Sequence, residues 1–332
     1  MAISISFICP TFNRSKLLRR SVDSICSGMA SPFEVIIADD GSSDDTRSVC
    51  QKLQKAYGAA RVVVSRSEEN LGAQAARNRG LRLAAGGLVM FVDSDDIAVP
   101  GGIEELIKWL EANPKLDYAH AKVIQTDAQL KPLAGDPVVG APFTASPVDV
   151  AGYHWHTMGA VYRRSYLEKV GPWNPALTGS QDWEYQARVK LAGGQGQFVD
   201  AVVGYWRHHG GSRVGANAFR PDYVRSVMLA CDSILQHARR AGCCDRALER
   251  RLAKKLIVHA LEWGCNGRRK ERQQCLLQAG RTVSNDLIFK VVTRCFQISP
   301  RFVESWLWKL LTSHKSKAAT SESKSTQADG GW

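Results

Sequence analysis

No stretch of 18 or more consecutive apolar residues occurs anywhere in the 332 residues, so the sequence offers nothing with the length a membrane-spanning helix needs. The N-terminus lacks a basic leader followed by a long apolar block. Residues 1–7 alternate like a strand instead, and no signal peptide is expected. Paired metal-type cysteine spacings are also missing. The nine cysteines are an odd number, and Cys9 and Cys26 sit in apolar surroundings, which fits reduced thiols in a cytosolic protein. The adjacent Cys243 and Cys244 have no evident reason. Two phosphate-binding loops are absent: no G-x-G-x-x-G follows the first strand, and no G-x-x-x-x-G-K-[ST] occurs. A nucleotide held by this chain must be gripped by side-chain carboxylates and a metal rather than by a glycine cradle. No recognised nucleic-acid motif is present either.

What the chain has in excess is positive charge, and it is unevenly spread. The net charge is +12, yet residues 222–332 hold 20 Lys/Arg against 10 Asp/Glu, while residues 1–221 hold 24 against 22. The basicity belongs to the C-terminal third, where an anionic membrane surface or nucleic acid are the partners it would suit.

The informative stretch is Leu88-Val89-Met90-Phe91-Val92-Asp93-Ser94-Asp95-Asp96. An unbroken apolar run reads as a strand buried on both faces in a parallel sheet. Carboxylates cannot continue into such a core unpaired, so they emerge at the strand's carboxyl end, where open α/β sheets bind ligands. Crowded like charges there invite a hard divalent cation, Mg²⁺ or Mn²⁺, shared with substrate phosphates. A bare Asp-x-Asp also suits a solvated acidic turn before a helix, and that alternative stands on these residues alone. Upstream, apolar runs near residues 3–9, 33–38 and 61–64 alternate with helical patterns at 16–26, 44–57 and 73–84. This alternation predicts a parallel sheet with right-handed crossovers.

Four fragments carry a resemblance: Cys9-Pro10-Thr11-Phe12-Asn13-Arg14, Asp39-Asp40-Gly41-Ser42-Ser43-Asp44, Asn70-Leu71-Gly72 with Arg77-Asn78-x-Gly80, and Asp93-Ser94-Asp95-Asp96. In this order and spacing they resemble the nucleotide-sugar half of family-2 glycosyltransferases with the GT-A fold, an α/β, Rossmann-like, mostly parallel sheet with helices on both faces. The resemblance covers residues 3–115 and, more loosely, 150–215. It implies that Pro10, Thr11 and Asn13 line the nucleotide pocket, that Asp39 accepts a hydrogen bond from the base with Asp40 beside it, and that Arg77 and Asn78 face the diphosphate or sugar. It implies that Asp93, Ser94 and Asp95 form the DXD segment reaching ribose and metal, with Asp96 the alternative ligand. The cation expected is Mg²⁺ or Mn²⁺.

Gly179-Ser180-Gln181-Asp182-Trp183-Glu184 should supply the catalytic carboxylate. The family usually has Glu-Asp here; Gln181 replaces the Glu and leaves Asp182 as the implied general base, with Glu184 in reserve. Asp182 and Glu184, two apart on a helix, do not share a face. The family's Arg-x-His-x-Gly-Ser fits Arg207 and His209, so His209 joins the metal set implied for Asp93, Asp95 and Asp96. His154 and His156 read as an acceptor-cleft wall or plain surface.

The resulting organisation places a nucleotide-sugar-binding half at 1–120, an acceptor-binding and catalytic half at 121–220, a basic helical extension at 221–313 and a disordered tail at 314–332. Residues 302–310 have the spacing of an amphipathic helix suited to packing or to a membrane surface. The function implied is inverting transfer from a UDP-sugar to a saccharide or lipid-linked saccharide, in surface polysaccharide or glycolipid synthesis. The location implied is the cytoplasm or the cytoplasmic face of the inner membrane, with peripheral membrane contact through the basic helices and no nucleic acid. The alternatives are a sugar nucleotidyltransferase, which would need a Gly-rich basic loop near the N-terminus, and a nucleic-acid-binding protein using the basic third.

Overall fold

The computed structural model describes residues 3–142, 147–152, 154–209 and 221–283. The expected amphipathic helix at 302–310 and the tail at 314–332 lie outside the described residues. The chain divides into two compact units, residues 1–248 and 249–332.

In the first unit, strand and helix alternate as the sequence predicts: β1 (Ile5–Thr11), α1 (Ser15–Cys26), β2 (Phe33–Asp39), α2 (Thr46–Tyr57), β3 (Val62–Arg66), α3 (Ala73–Leu83) and β4 (Leu88–Phe91). These four strands are mutually parallel in the order β3-β2-β1-β4. There follow β5 (Ile97–Ala98), α4 (Pro100–Ala112), β6 (Tyr118–Thr126), β7 (Val138–Val139), α5 (Pro147–Val150), a 3-10 turn (Thr157–Gly159), β8 (Ala160–Arg163), α6 (Arg164–Val170), α7 (Gln181–Leu191), β9 (Gly196–Arg207) and α8 (Pro221–Arg240). β8 continues the sheet antiparallel to both β4 and β6, and β9 lies parallel to β6. Two reversals restore the original direction, so β9 delivers its carboxyl end to the same edge as β1, β2 and β4. The expected loop region at 125–150 contains β7 and α5.

The apolar strands are buried on both faces because helices cover both. Ile5, Phe7, Cys9, Val35, Ile37 and Met90 pack with Leu18, Val22 and Ile25 of α1, Leu53 of α2 and Ile103, Leu106 and Leu110 of α4. The alternate residues Ile8, Ile36, Val89 and Phe91 pack with Leu167 and Val170 of α6 and Tyr185 and Val189 of α7. Each large side chain so buried is worth roughly 1.5–3 kcal/mol, and the two-residue period of the strands sorts them between the layers. Gly80 has a local reason: a Cβ there would stand 2.6 Å from the Ile8 side chain, so glycine lets α3 lie close on β1.

The second unit holds α9 (Arg246–Cys265) from Glu249 onward and α10 (Arg269–Thr282). α9 buries Leu252, Leu256, Ala260 and Trp263, one stripe at helical spacing. Arg250, Arg251, Arg268, Arg269 and Lys270 are exposed. Among the described residues no helix is long and apolar enough to cross a membrane.

His120 on β6 yields a test of this core. It is buried, its ring 4.8 Å from Trp155 and 5.4 Å from Phe198. Burial first, then the charges of His154 and Lys190, drive its pKa down from 6.5 to about 3. The unfolded chain takes up this proton near pH 6.5 and the folded chain only near 3, so folding stability falls as pH drops through that window, by up to about 1.4 kcal/mol per unit. His120→Phe should therefore flatten the dependence of urea unfolding free energy on pH between 6 and 4. An unchanged slope would mean the imidazole is not held neutral.

Candidate active site

Register alone assembles the nucleotide side. Thr11 pairs with Asp39, and Asp39 with Arg66, on three adjacent strands. Pro10 and Thr11 are buried at the end of β1. Asp39 is buried, accepts the Ser42 amide on Oδ1 at 3.0 Å and Arg66 Nη1 on Oδ2 at 3.2 Å. Asp40 is also buried; its Oδ2 accepts the Gly72 amide at 2.6 Å and its Oδ1 lies 3.8 Å from Arg79 Nη1. A cavity of about 460 Å³ opens beside them, lined among others by Asp39, Arg47, Gln54, Arg66 and Glu68. Asn13 lies in the left-handed region at φ 51°, which asparagine tolerates. Its Oδ1 accepts the Ser43 amide at 2.8 Å, clipping the loop after β1 to the loop after β2.

The acidic segment turns tightly after β4: the Asp96 amide donates to the Asp93 carbonyl at 3.1 Å. The turn sends its carboxylates in different directions. Asp93 Oδ1 accepts Arg77 Nη2 at 2.6 Å, and Ser94 is buried. Asp95 Oδ2 meets Arg14 Nη1, with His209 Nε2 at 3.0 Å. Burial alone would raise the Asp95 carboxyl; the Arg14 charge and the His209 contact outweigh it and hold the group below the ordinary carboxylate value. Asp96 is buried and accepts the Arg207 amide on Oδ1 at 3.1 Å. β5 pairs with β9, Ile97 opposite Tyr205, and this brings Asp96 and Arg207 together.

A different histidine joins the acidic turn. Asp93, Asp96 and His156 each offer a ligand atom within 4.8 Å of the others, and His156 Nε2 is 3.8 Å from Asp96 Oδ2. Two hard carboxylates and one imidazole in a half-buried pocket fit Mg²⁺ or Mn²⁺ chemically. Asp95 and His209, expected as ligands with them, pair with each other and with Arg14. His156 is buried, so the plain-surface alternative for it is corrected. No metal-type spacing marked it: sheet closure brings it to Asp96, 60 positions earlier in the chain.

Burial holds the His156 imidazole below its ordinary value, against the opposing charges of Asp93, Asp182 and Asp95. The implied base, Asp182, lies at the start of α7. Ser180, at φ 55°, directs the chain into that helix. Asp182 is half-buried and accepts its neighbour Trp183's amide at 2.8 Å. Glu184 faces elsewhere. It is buried, takes Arg188 Nε and Nη2 at 2.7 and 3.1 Å, and accepts Ser233 Oγ of α8 at 2.6 Å. That carboxylate ties α7 to α8 and is no reserve base. Asn78 too is turned away from the acidic turn: its Nδ2 donates to the Trp173 carbonyl and its Oδ1 accepts the Trp173 amide, both at 2.8 Å.

Comparison with known proteins bears on the family and the fold. The family model described as glycosyl transferase family 2 matches residues 6–171, half of the chain. The GalNAc(5)-diNAcBac-PP-undecaprenol beta-1,3-glucosyltransferase of Campylobacter jejuni is 38% identical over 116 residues, 35% of this chain and 36% of that one. The chain thus spans about a third of that curated relative's length. Among solved structures, S. aureus TarS residues 1–349 in complex with UDP-GlcNAc superposes with a TM-score of 0.64 at 21% identity, over 84% of this chain and 80% of that one. The mannosyltransferase PcManGT from Pyrobaculum calidifontis, in complex with GDP-Man and Mn²⁺, gives 0.52 at 16% identity over 98% and 89%. At these identities the two structures speak for the fold, a mixed α/β sheet of GT-A type.

The two carboxylates of α7 separate in a stability measurement. Glu184→Ala leaves Arg188 buried without its partner and should lower the urea unfolding free energy by about 3–5 kcal/mol. Asp182→Asn should leave it within about 1 kcal/mol. Equal losses for the two variants would contradict this division of roles.

Proposed function

The chain belongs to glycosyl transferase family 2, and on that premise we propose that it transfers a sugar from a UDP-sugar to a hydroxyl of a lipid-diphosphate-linked saccharide, with inversion at the anomeric carbon. The work it does is glycolipid or surface polysaccharide assembly at the cytoplasmic face of a membrane. The observation that carries the reading is the convergence of Asp93, Asp96 and His156, whose ligand atoms lie within 4.8 Å of one another after the strand β4. A cation-ready leaving-group site, with a separate carboxylate as base, is what a single displacement needs. The Campylobacter relative, whose name specifies an undecaprenol-diphosphate acceptor, and the TarS complex with UDP-GlcNAc support the choice of acceptor and donor.

Each residue has a role in this reading. Asp39 accepts the base N–H, with Arg66 and Arg79 balancing the buried charges of Asp39 and Asp40. Pro10, Thr11 and Asn13 shape the nucleotide pocket. Asp93 and Asp96 hold a Mg²⁺ or Mn²⁺ ion beside His156, while Asp95 and His209 close the pocket from the Arg14 side. The cation, when bound, offsets charge developing on the diphosphate. Arg77, already on Asp93, adds a guanidinium facing the same phosphates. Asp182 takes the proton from the acceptor hydroxyl as that oxygen attacks the anomeric carbon. The bond to the diphosphate breaks on the opposite face, and its electron pair leaves with UDP. Since Asp182 has only the Trp183 amide as a hydrogen-bond partner among the described residues, its second oxygen stays available for that proton.

The test is incubation with a panel of nucleotide sugars and a diphosphate-lipid saccharide acceptor, reading released nucleotide and product. UDP release with a lengthened glycan is expected; pyrophosphate release instead would point to nucleotidyl transfer and overturn the reading. Asp182→Asn should slow transfer by about 10²–10⁴ while the dissociation constant for UDP changes less than about twofold. Loss of UDP affinity with turnover preserved would remove Asp182 from the role of base.

A further inference from the structure

We propose that Trp173 is a positioning residue for the reaction: its indole face is the shelf that aims Arg77 at Asp93, and through Asp93 it tunes the affinity of the site for a divalent cation. The inference rests on reading Asp93 as a ligand of that cation.

Trp173 lies in the loop between α6 and α7 and is buried. The Arg77 guanidinium lies over its ring, 4.6 Å from the centroid, while Tyr185 stacks on the indole at 4.0 Å and 3°. Two groups this close to one ring must take opposite faces. Tyr185 is backed in turn by Arg188 at 4.9 Å, and Phe91 abuts the indole edge-on at 5.1 Å. The ring therefore has no room to shift.

What separates Trp173 from an ordinary core tryptophan is its N–H. Trp155 Nε1 donates to Tyr162 Oη at 3.0 Å and Trp183 Nε1 to the Ala151 carbonyl at 2.9 Å, as buried indoles usually do. Trp173 Nε1 is buried with no hydrogen-bond partner among the described residues. The ring is placed for its face. Arg77 shows the complementary feature: nearly buried, it directs Nη2 to Asp93 but leaves Nε and Nη1 without partners among the described residues. A guanidinium with five donors is here oriented by one ion pair and one aromatic face.

The loop is fixed from the same helix. Asn78, the residue after Arg77, grips the Trp173 main chain through both ends of its amide. α3 thus holds Trp173 by its backbone, and Trp173 holds α3's arginine by its ring. Arg77 engages Asp93 Oδ1, which leaves Oδ2 to face a cation. If the shelf is lost, Arg77 is free to turn and chelate both oxygens of the carboxylate, which takes Oδ2 from the cation and weakens the ligand. Loss of such orienting partners typically costs 10–100-fold in metal affinity.

The experiment measures the dissociation constant for Mn²⁺ on the full chain without donor, from the electron paramagnetic resonance signal of free Mn²⁺. Asp93→Asn should lose most of the affinity. Trp173→Leu should weaken it tenfold or more, Trp173→Phe, which keeps an aromatic face, should stay within threefold of wild type, and Asn78→Ala should fall between. Circular dichroism checks the fold of each variant. A folded Trp173→Leu protein with wild-type Mn²⁺ affinity overturns the proposal. If Trp173→Leu does not fold, Asn78→Ala with unchanged affinity overturns it equally. If Asp93→Asn leaves Mn²⁺ affinity unchanged, the cation reading of Asp93 fails, and this proposal with it, whatever Trp173→Leu does.

Discussion

Burying negative charge at one edge of a sheet is the constraint on which the rest of this structure depends. β1, β2, β4 and β9 all end there, and the acidic residues that follow β2 and β4 cannot enter the core as isolated ions. The chain answers with guanidinium groups drawn from elsewhere: Arg66 on Asp39, Arg79 beside Asp40, Arg77 on Asp93 and Arg14 on Asp95. Three of the four come from β3 and α3, elements distant in sequence from the carboxylates at the end of β2 that two of them serve. Removing one partner from such a pair leaves an uncompensated charge, which costs more than the pair contributes. The acidic edge and the arginines around it are therefore one unit, though no carboxylate is adjacent in sequence to its arginine.

The same logic extends inward through an aromatic stack. Asp93, Arg77, Trp173, Tyr185, Arg188 and Glu184 form a continuous series in which each end is an ion pair and the middle is two parallel rings. Ser233 of α8, a helix of the same compact unit as the sheet, adds a hydrogen bond at the far end. α7 uses its two early carboxylates oppositely as a result. Glu184 faces the stack and is locked; Asp182, on another face of the same turn, is half-buried and meets only the neighbouring Trp183 amide among the described residues.

Much of the scaffold was legible in advance. The parallel order of the first four strands follows from apolar runs alternating with helical patterns, and the acidic turn after β4 follows from charge meeting a buried strand. The motif fragments identify the family because each is local: a strand end, a turn and a helix start within a dozen residues. Ligand geometry was less legible. Asp95 and Asp96 are neighbours in sequence but diverge, one to Arg14 and His209 and one to the Arg207 amide, because the turn reverses between them. His156 looked like a cleft wall or surface residue, since its only local company is Trp155 and a short turn. Asn78 looked like a donor contact because it follows Arg77, yet its amide is committed to Trp173.

What the sequence determined by itself was whatever rests on short-range physics: the alternation of strands and helices, the burial of β1, β2 and β4 on both faces, the acidic character of the edge, and membership of the family. What only the tertiary structure decided was which charges meet. β8 runs back against β4 and β9 forward again, and closing the sheet in this way brings His156, Arg207 and His209 to carboxylates 60 or more positions away in the chain. Periodicity and composition describe neighbours along a chain. Electrostatic pairing depends on distance through space, and closing the sheet is what sets that distance.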